Sequence, residues 1–263
     1  MMHVRAGSPI AFSAALPSIL RAALDRCLAV AYGPVHDLIV ERFTPYRALE
    51  REVLSVVEAG APAGAPRRSL RVLDIGCGPG TFTAALAAAG FSALGIDRYT
   101  PVLEIARETR RARGLRHVSF SRLDMDAFAD AEFDQVVSIH SLYTDPAPEV
   151  ALAQAARVLK PGGHAVLVNH VRRFSVVQTF RAARKAAGWL TALGTLVWLI
   201  PNLVFELTRR PVGPHYWDEA QLEHRLAAAG FTVLELRRTF LDGGSVLVWA
   251  RKRAIDDDGA GRS

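Results

Sequence analysis

Five residues between positions 74 and 97 have the types and spacing of a ligand-binding turn: Asp74, Gly76, Gly78, Gly80 and Asp97. In Val72-Leu73-Asp74-Ile75-Gly76-Cys77-Gly78-Pro79-Gly80-Thr81-Phe82 an apolar, strand-like run gives way to glycines and then to a helix-forming stretch. Glycine lets the backbone approach a ligand with no Cβ in the way, and free N–H groups at the helix start beyond it hold a carboxylate. Asp97 ends Gly95-Ile96-Asp97 about twenty residues after the first glycine, where an acid accepts hydrogen bonds from ribose hydroxyls. A dinucleotide fingerprint needs G-x-G-x-x-G. Here the glycines run Gly76-x-Gly78-x-Gly80 with Asp74 two residues ahead, so the spacing departs from that pattern, whereas Asp97 serves either reading.

These positions need elements to hold them. Apolar runs at 70–75, 93–96, 117–121, 135–139 and 163–168 read as buried strands, with helices between them after residue 80 and at 102–113 and 149–159. Beyond residue 214 a helix at 219–229 precedes two runs, 232–241 and 245–250. Asp242-Gly243-Gly244 joins them, and they read as a hairpin adding an antiparallel edge. This alternation predicts a doubly wound, mostly parallel α/β sheet. The expected organisation is a helical cap over 1–66, with helices at 16–31 and 46–58 and a Gly/Pro/Ala linker from Gly60 to Pro66. A ligand-binding core over 67–170, an apolar and basic insert over 171–214, completion of the sheet over 215–253 and a polar, disordered tail over 254–263 follow.

The glycine motif closely resembles that of class I S-adenosylmethionine-dependent methyltransferases, and the resemblance continues along the chain. Leu123-Asp124-Met125-Asp126, the run from Phe133 to Tyr143, Val158-Leu159-Lys160-Pro161-Gly162-Gly163 and Ala229-Gly230-Phe231 resemble later family motifs in order. Together they cover residues 70–251. The most similar branch holds the ubiquinone and menaquinone biosynthesis and small-molecule methyltransferases. The resemblance implies a Rossmann-like seven-stranded sheet with its last strand antiparallel, and S-adenosylmethionine as cofactor. It implies cofactor contacts from Asp74, Gly76, Gly78, Gly80 and Asp97, with Cys77 and Arg98 beside them and Cys77 there for packing. It places Asp124 near the adenine amino group, Met125 beside the ring, and His140 at the fourth strand's end.

In such a family a nucleophile attacks a sulfonium methyl, and the protein positions it and supplies a base where the acceptor is weakly acidic. The candidate bases are His140 and His170, at the ends of the fourth and fifth strands, with Tyr143 and His215 nearby in the chain. Histidine suits proton removal because its unperturbed pKa lies near neutrality.

With 50% apolar and 22% charged residues in 263, the chain is not disordered, collagen-like or a disulfide scaffold. Its two cysteines, Cys27 and Cys77, offer no zinc spacing, and no metal is expected. The net charge of +6 is localised. Arg172, Arg173, Arg181, Arg184, Lys185, Arg209 and Arg210 stand against Glu206 alone within 171–214, and the remainder balances. Residues 186–205 are uncharged and would span about 30 Å as a helix. A single crossing would strand the last two sheet strands on the far side of the bilayer, and Pro201 interrupts the run. The expected role is therefore a lid over the acceptor pocket or a shallow contact with an anionic membrane surface. No secretory leader opens the chain, so a cytoplasmic protein peripheral to the membrane is expected. No nucleic-acid partner is expected, since Ser138-Ile139-His140-Ser141 lacks the Pro-Pro motif of base amino methylases. The function read here is methyl transfer to an oxygen or carbon of a lipophilic small molecule. The alternative is a cofactor-binding, non-methylating partner protein anchored through residues 186–205.

Overall fold

The computed structural model describes residues 44–171, 215–241 and 243–254, together with 180, 181, 184, 188 and 189. The expected helix at 16–31, the apolar run at 190–205, most of the basic residues flanking it and residues 255–263 lie outside the described residues.

Seven strands form one sheet in the order β3-β2-β1-β4-β5-β7-β6. They are β1 (Arg71–Ile75), β2 (Ser92–Ile96), β3 (Val118–Ser121), β4 (Phe133–Ile139), β5 (Leu159–His170), β6 (Phe231–Thr239) and β7 (Ser245–Lys252). The strands from β3 to β5 pair in parallel, and β7 runs antiparallel to both neighbours. Strands β1, β4 and β5 read as near-continuous apolar runs because helices cover both faces of the sheet. On one face lie α1 (Thr44–Ala59), α2 (Thr81–Ala88) and α3 (Thr100–Ala112); on the other lie α4 (Pro148–Val158) and α5 (Glu219–Ala228). An Asp218–Gln221 capping box starts α5, each side chain taking up the other's backbone N–H.

The hairpin supplies the expected antiparallel edge, and its order is a finding of the structure. β7 inserts between β5 and β6, so β6 forms the edge and the hairpin's second strand is internal. Burial explains the choice. Val246, Leu247 and Val248 are fully buried, whereas β6 (FTVLELRRT) carries Glu235, Arg237 and Arg238 and leaves Leu234 exposed. A strand rich in charge suits an edge.

Helix α1 belongs to the same core as the sheet: Leu49, Val53, Val56 and Val57 are buried against strand residues. Its last turn is tied down by Gln135, buried in β4, whose Nε2 donates to the Val57 carbonyl at 2.9 Å. That oxygen is among the carbonyls left without a partner at any helix end. The neighbouring order β1-β4 marks where connections depart to opposite sides, opening a crevice beyond the carboxyl ends of those strands.

Candidate functional site

The glycine loop joins β1 to α2 at this crevice. The N–H groups of Gly76 and Cys77 both donate to the Ile96 carbonyl at the end of β2, and Gly80 N donates to the Cys77 carbonyl. All three glycines have positive φ, +68°, +54° and +80° in order. A Cβ on Gly76 would lie 2.4 Å from Ser141 Cβ, and one on Gly80 2.6 Å from the Phe120 ring. Those two are required by packing. Gly78 differs, since nothing lies within 4 Å of its added Cβ, so it faces open volume.

Asp97 follows β2 and braces this loop. Its Oδ2 accepts from Gly78 N at 3.0 Å and its Oδ1 from Tyr99 N at 2.9 Å. A carboxylate oxygen can accept more than one hydrogen bond, so a group that holds the loop is of the type that also receives ribose hydroxyls. Asp74 is placed differently. It is buried beneath the loop and accepts from Thr83 Oγ1 at 2.6 Å, linking β1 to α2. Burial, reinforced by the nearby Asp97 charge, pushes its carboxyl up to about 7. The same burial, with both acids nearby, raises the Cys77 thiol, so Cys77 stays a protonated packing group. Arg98 pairs with Asp145 at 3.1 Å, spanning from the end of β2 to the segment after β4. Asp124 is exposed at the start of a short helical turn, and Met125 is half-buried with its carbonyl held by Arg157 at 2.8 Å.

Three of the candidate catalytic side chains, His140, His170 and Tyr143, come together, and His215 joins them through its backbone. His140 and His170 stack with centroids 3.8 Å apart. The Tyr143 ring meets His170 edge-on at 4.7 Å, and the Tyr143 carbonyl accepts from His215 N at 2.7 Å. Phe240 closes over both imidazoles, at 5.0 and 6.4 Å. His140, Phe240 and Leu241 hold positive φ, a conformation bulky side chains adopt at a cost. Desolvation pushes His140 down to about 3 and His170 well below its ordinary value, the second also repelled by the first. Both rings are therefore neutral at physiological pH and weak as proton acceptors, a reversal of the near-neutral value the sequence suggests.

Other residues of the site escape a reading by motif. Ser141 sits under Gly76, donates to the Ile75 carbonyl at 2.8 Å and bonds Ser138 Oγ. Asn169, fully buried in β5, donates toward the His170 and His215 carbonyls, leaving its Oδ1 and the buried His215 Nε2 without protein partners among the described residues. Ser245 Oγ lies within hydrogen-bond distance of one nitrogen on each of the stacked rings. Its one sequence signal is a hydroxyl opening an otherwise apolar strand after Gly243-Gly244. Among the described residues no group of three His, Cys, Asp or Glu side chains is arranged to hold a metal, and no helix is long and apolar enough to cross a membrane.

A methyltransferase-domain family model matches residues 42–236. A ubiquinone biosynthesis O-methyltransferase of Methylococcus capsulatus is 41% identical over 96 residues, 35% of this chain and 40% of that protein; the match spans less than half the relative's length. A demethylmenaquinone methyltransferase of Clavibacter sepedonicus is 32% identical over 66% of this chain and 71% of its own. Among solved structures, the CurJ carbon methyltransferase superposes with a TM-score of 0.62 at 17% identity, over 90% of this chain and 70% of that one. At that identity the likeness speaks for the fold.

Proposed function

This chain belongs to the class I S-adenosylmethionine-dependent methyltransferases, and from that premise we propose that it methylates an oxygen or carbon of a lipophilic small molecule. The observation that carries the reading is the glycine loop braced by Asp97, with Gly78 facing open volume at the crevice between β1 and β4. Gly78 would lie against the cofactor, Asp97 would accept from its ribose, and Asp124 and Met125 would flank its adenine. Bound S-adenosylmethionine supplies an electrophilic methyl group.

The chain's own work is to bind and orient the acceptor. His140, His170, Tyr143, Tyr216 and Phe240 form a largely buried aromatic cluster at the same carboxyl ends of the strands as the glycine loop, and we take its outer face as the wall of the acceptor site. Such a wall suits a flat, apolar acceptor and excludes water from it. A neutral imidazole offers its lone pair to an acceptor hydroxyl. With His140 pushed down to about 3, its role is to orient that hydroxyl, and a readily ionised phenol or enol suits it better than an alcohol. The names of the two relatives point to quinone-like acceptors, which agrees with the greasy run at 186–205. The seven bases near that run favour delivery along an anionic membrane surface. One observation favours a second reading, cofactor binding without methyl transfer: both imidazoles are poor bases.

Calorimetric titration with S-adenosylmethionine and S-adenosylhomocysteine tests the cofactor half. Binding in the wild type and a Kd at least about tenfold weaker in Asp97→Ala are expected, the loss of a charge-assisted bond. Absence of binding to folded protein would refute it. Transfer of labelled methyl to a panel of prenylated phenols and hydroquinones tests the other half. Cofactor binding with no label in any acceptor favours the second reading.

A further inference from the structure

Two imidazole nitrogens in the site converge on one hydroxyl. Ser245 Oγ lies 3.0 Å from His140 Nε2 and 2.9 Å from His170 Nδ1, residues 105 and 75 positions away. Ser245 is fully buried, and among the described residues these two are the hydrogen bonds its side chain makes. The antiparallel entry of β7 creates the meeting, since its first residue, Ser245, registers with the last residue of β5, His170.

A serine hydroxyl has one proton to donate and two lone pairs to accept. Burial keeps both rings neutral, so each nitrogen facing Ser245 is either an N–H or a lone pair. Two lone pairs would compete for one proton and leave one nitrogen against the oxygen unpaired. Two N–H groups would leave the serine proton buried without a partner, at about 1–3 kcal/mol. The arrangement that satisfies every atom has one ring donating to Ser245 and Ser245 donating to the other. Because the facing atoms are Nε2 on one ring and Nδ1 on the other, both rings then carry the proton on the same-named nitrogen.

We propose that Ser245 is a positioning residue that locks His140 and His170 into like tautomers, so that their other nitrogens, His140 Nδ1 and His170 Nε2, form one lone pair and one N–H. Each ring so held presents one hydrogen-bonding character at that nitrogen in place of a mixture of two. The consequence for the acceptor rests on the methyl-transfer reading above; the tautomer lock rests on the hydrogen-bond geometry and on the burial that keeps both rings neutral. The lock also gives two weakly basic histidines a use that needs no proton uptake: they orient.

The test is long-range 1H–15N correlation spectroscopy of the full chain labelled with 15N-histidine, with resonances assigned through His140→Gln and His170→Gln. Wild type is expected to show both rings as Nε2–H or both as Nδ1–H. Ser245→Ala should move at least one ring to a mixed population, and Ser245→Thr, which keeps the hydroxyl, should restore the single form. Opposite tautomers in wild type, or unchanged tautomers in Ser245→Ala, overturn the proposal. Should Ser245→Ala fail to fold, the wild-type spectrum decides by itself. Calorimetry on the same samples keeps the two readings apart: like tautomers without S-adenosylmethionine binding would count against methyl transfer and leave the Ser245 assignment standing.

Discussion

Gly76, Gly78 and Gly80 share a motif and a backbone conformation, yet their surroundings assign them different work. Gly78→Ala places a methyl in open volume at φ +54°, at a backbone cost of about 1–2 kcal/mol. It should fold and bind S-adenosylmethionine about tenfold more weakly, as the Cβ occupies ligand space. Gly76→Ala adds a clash, its Cβ 2.4 Å from Ser141 Cβ, and should lose clearly more stability. Urea unfolding of both, with calorimetry on the first, checks this; equal stability would contradict the packing roles. Asp74 gives a pH prediction. Its folded pKa of about 7 stands above the ordinary 3.8, so between those values the folded chain holds a proton the unfolded chain has lost. Its contribution therefore falls as pH rises through that window. Wild type compared with Asp74→Asn should lose ground between pH 4.5 and 8 in urea midpoint. The histidines act oppositely. With His140 at about 3 and His170 also lowered from 6.5, their contribution is present above 6.5 and lost as pH falls toward 3. His170→Gln should shallow that acid limb.

At the scale of elements, the runs at 70–75, 93–96 and 135–139 were legible because a strand buried on both faces must be apolar throughout, a property local to the run. The glycine loop was legible for the same reason, its residues being contiguous between a strand and a helix. The hairpin's placement was not. Two apolar runs joined by Asp242-Gly243-Gly244 announce antiparallel pairing and leave open which strand faces β5. Burial decides it: β7 brings Leu247 to full burial and β6 keeps Leu234 at 45% exposure on the edge. Leu247→Ala should cost about 2–5 kcal/mol, and Leu234→Ala within about 0.5 kcal/mol of none. Urea unfolding of both variants checks the order of the two strands.

Across the whole molecule, the net charge of +6 resides in one segment beside an uncharged run of twenty residues, 186–205. Attraction of each base to an anionic leaflet is worth about 1 kcal/mol near the surface. Changing Arg172, Arg173, Arg181, Arg184 and Lys185 together to Ser should sharply reduce co-flotation with phosphatidylglycerol vesicles and leave S-adenosylmethionine binding in place. Unchanged flotation would remove the electrostatic part of the membrane proposal. By itself the sequence determined what contiguous residues can express: the alternation of strands and helices, the glycine turn with Asp97 following it, and the segregation of charge. Only the tertiary structure decided that β7, and not β6, lies beside β5, so that Ser245 reaches two histidines far away in the chain. It also turned two nominally near-neutral imidazoles into neutral, weakly basic ones. The physical reason is the same in both cases: strand register and desolvation depend on what packs alongside a residue, and residues distant in sequence provide that packing.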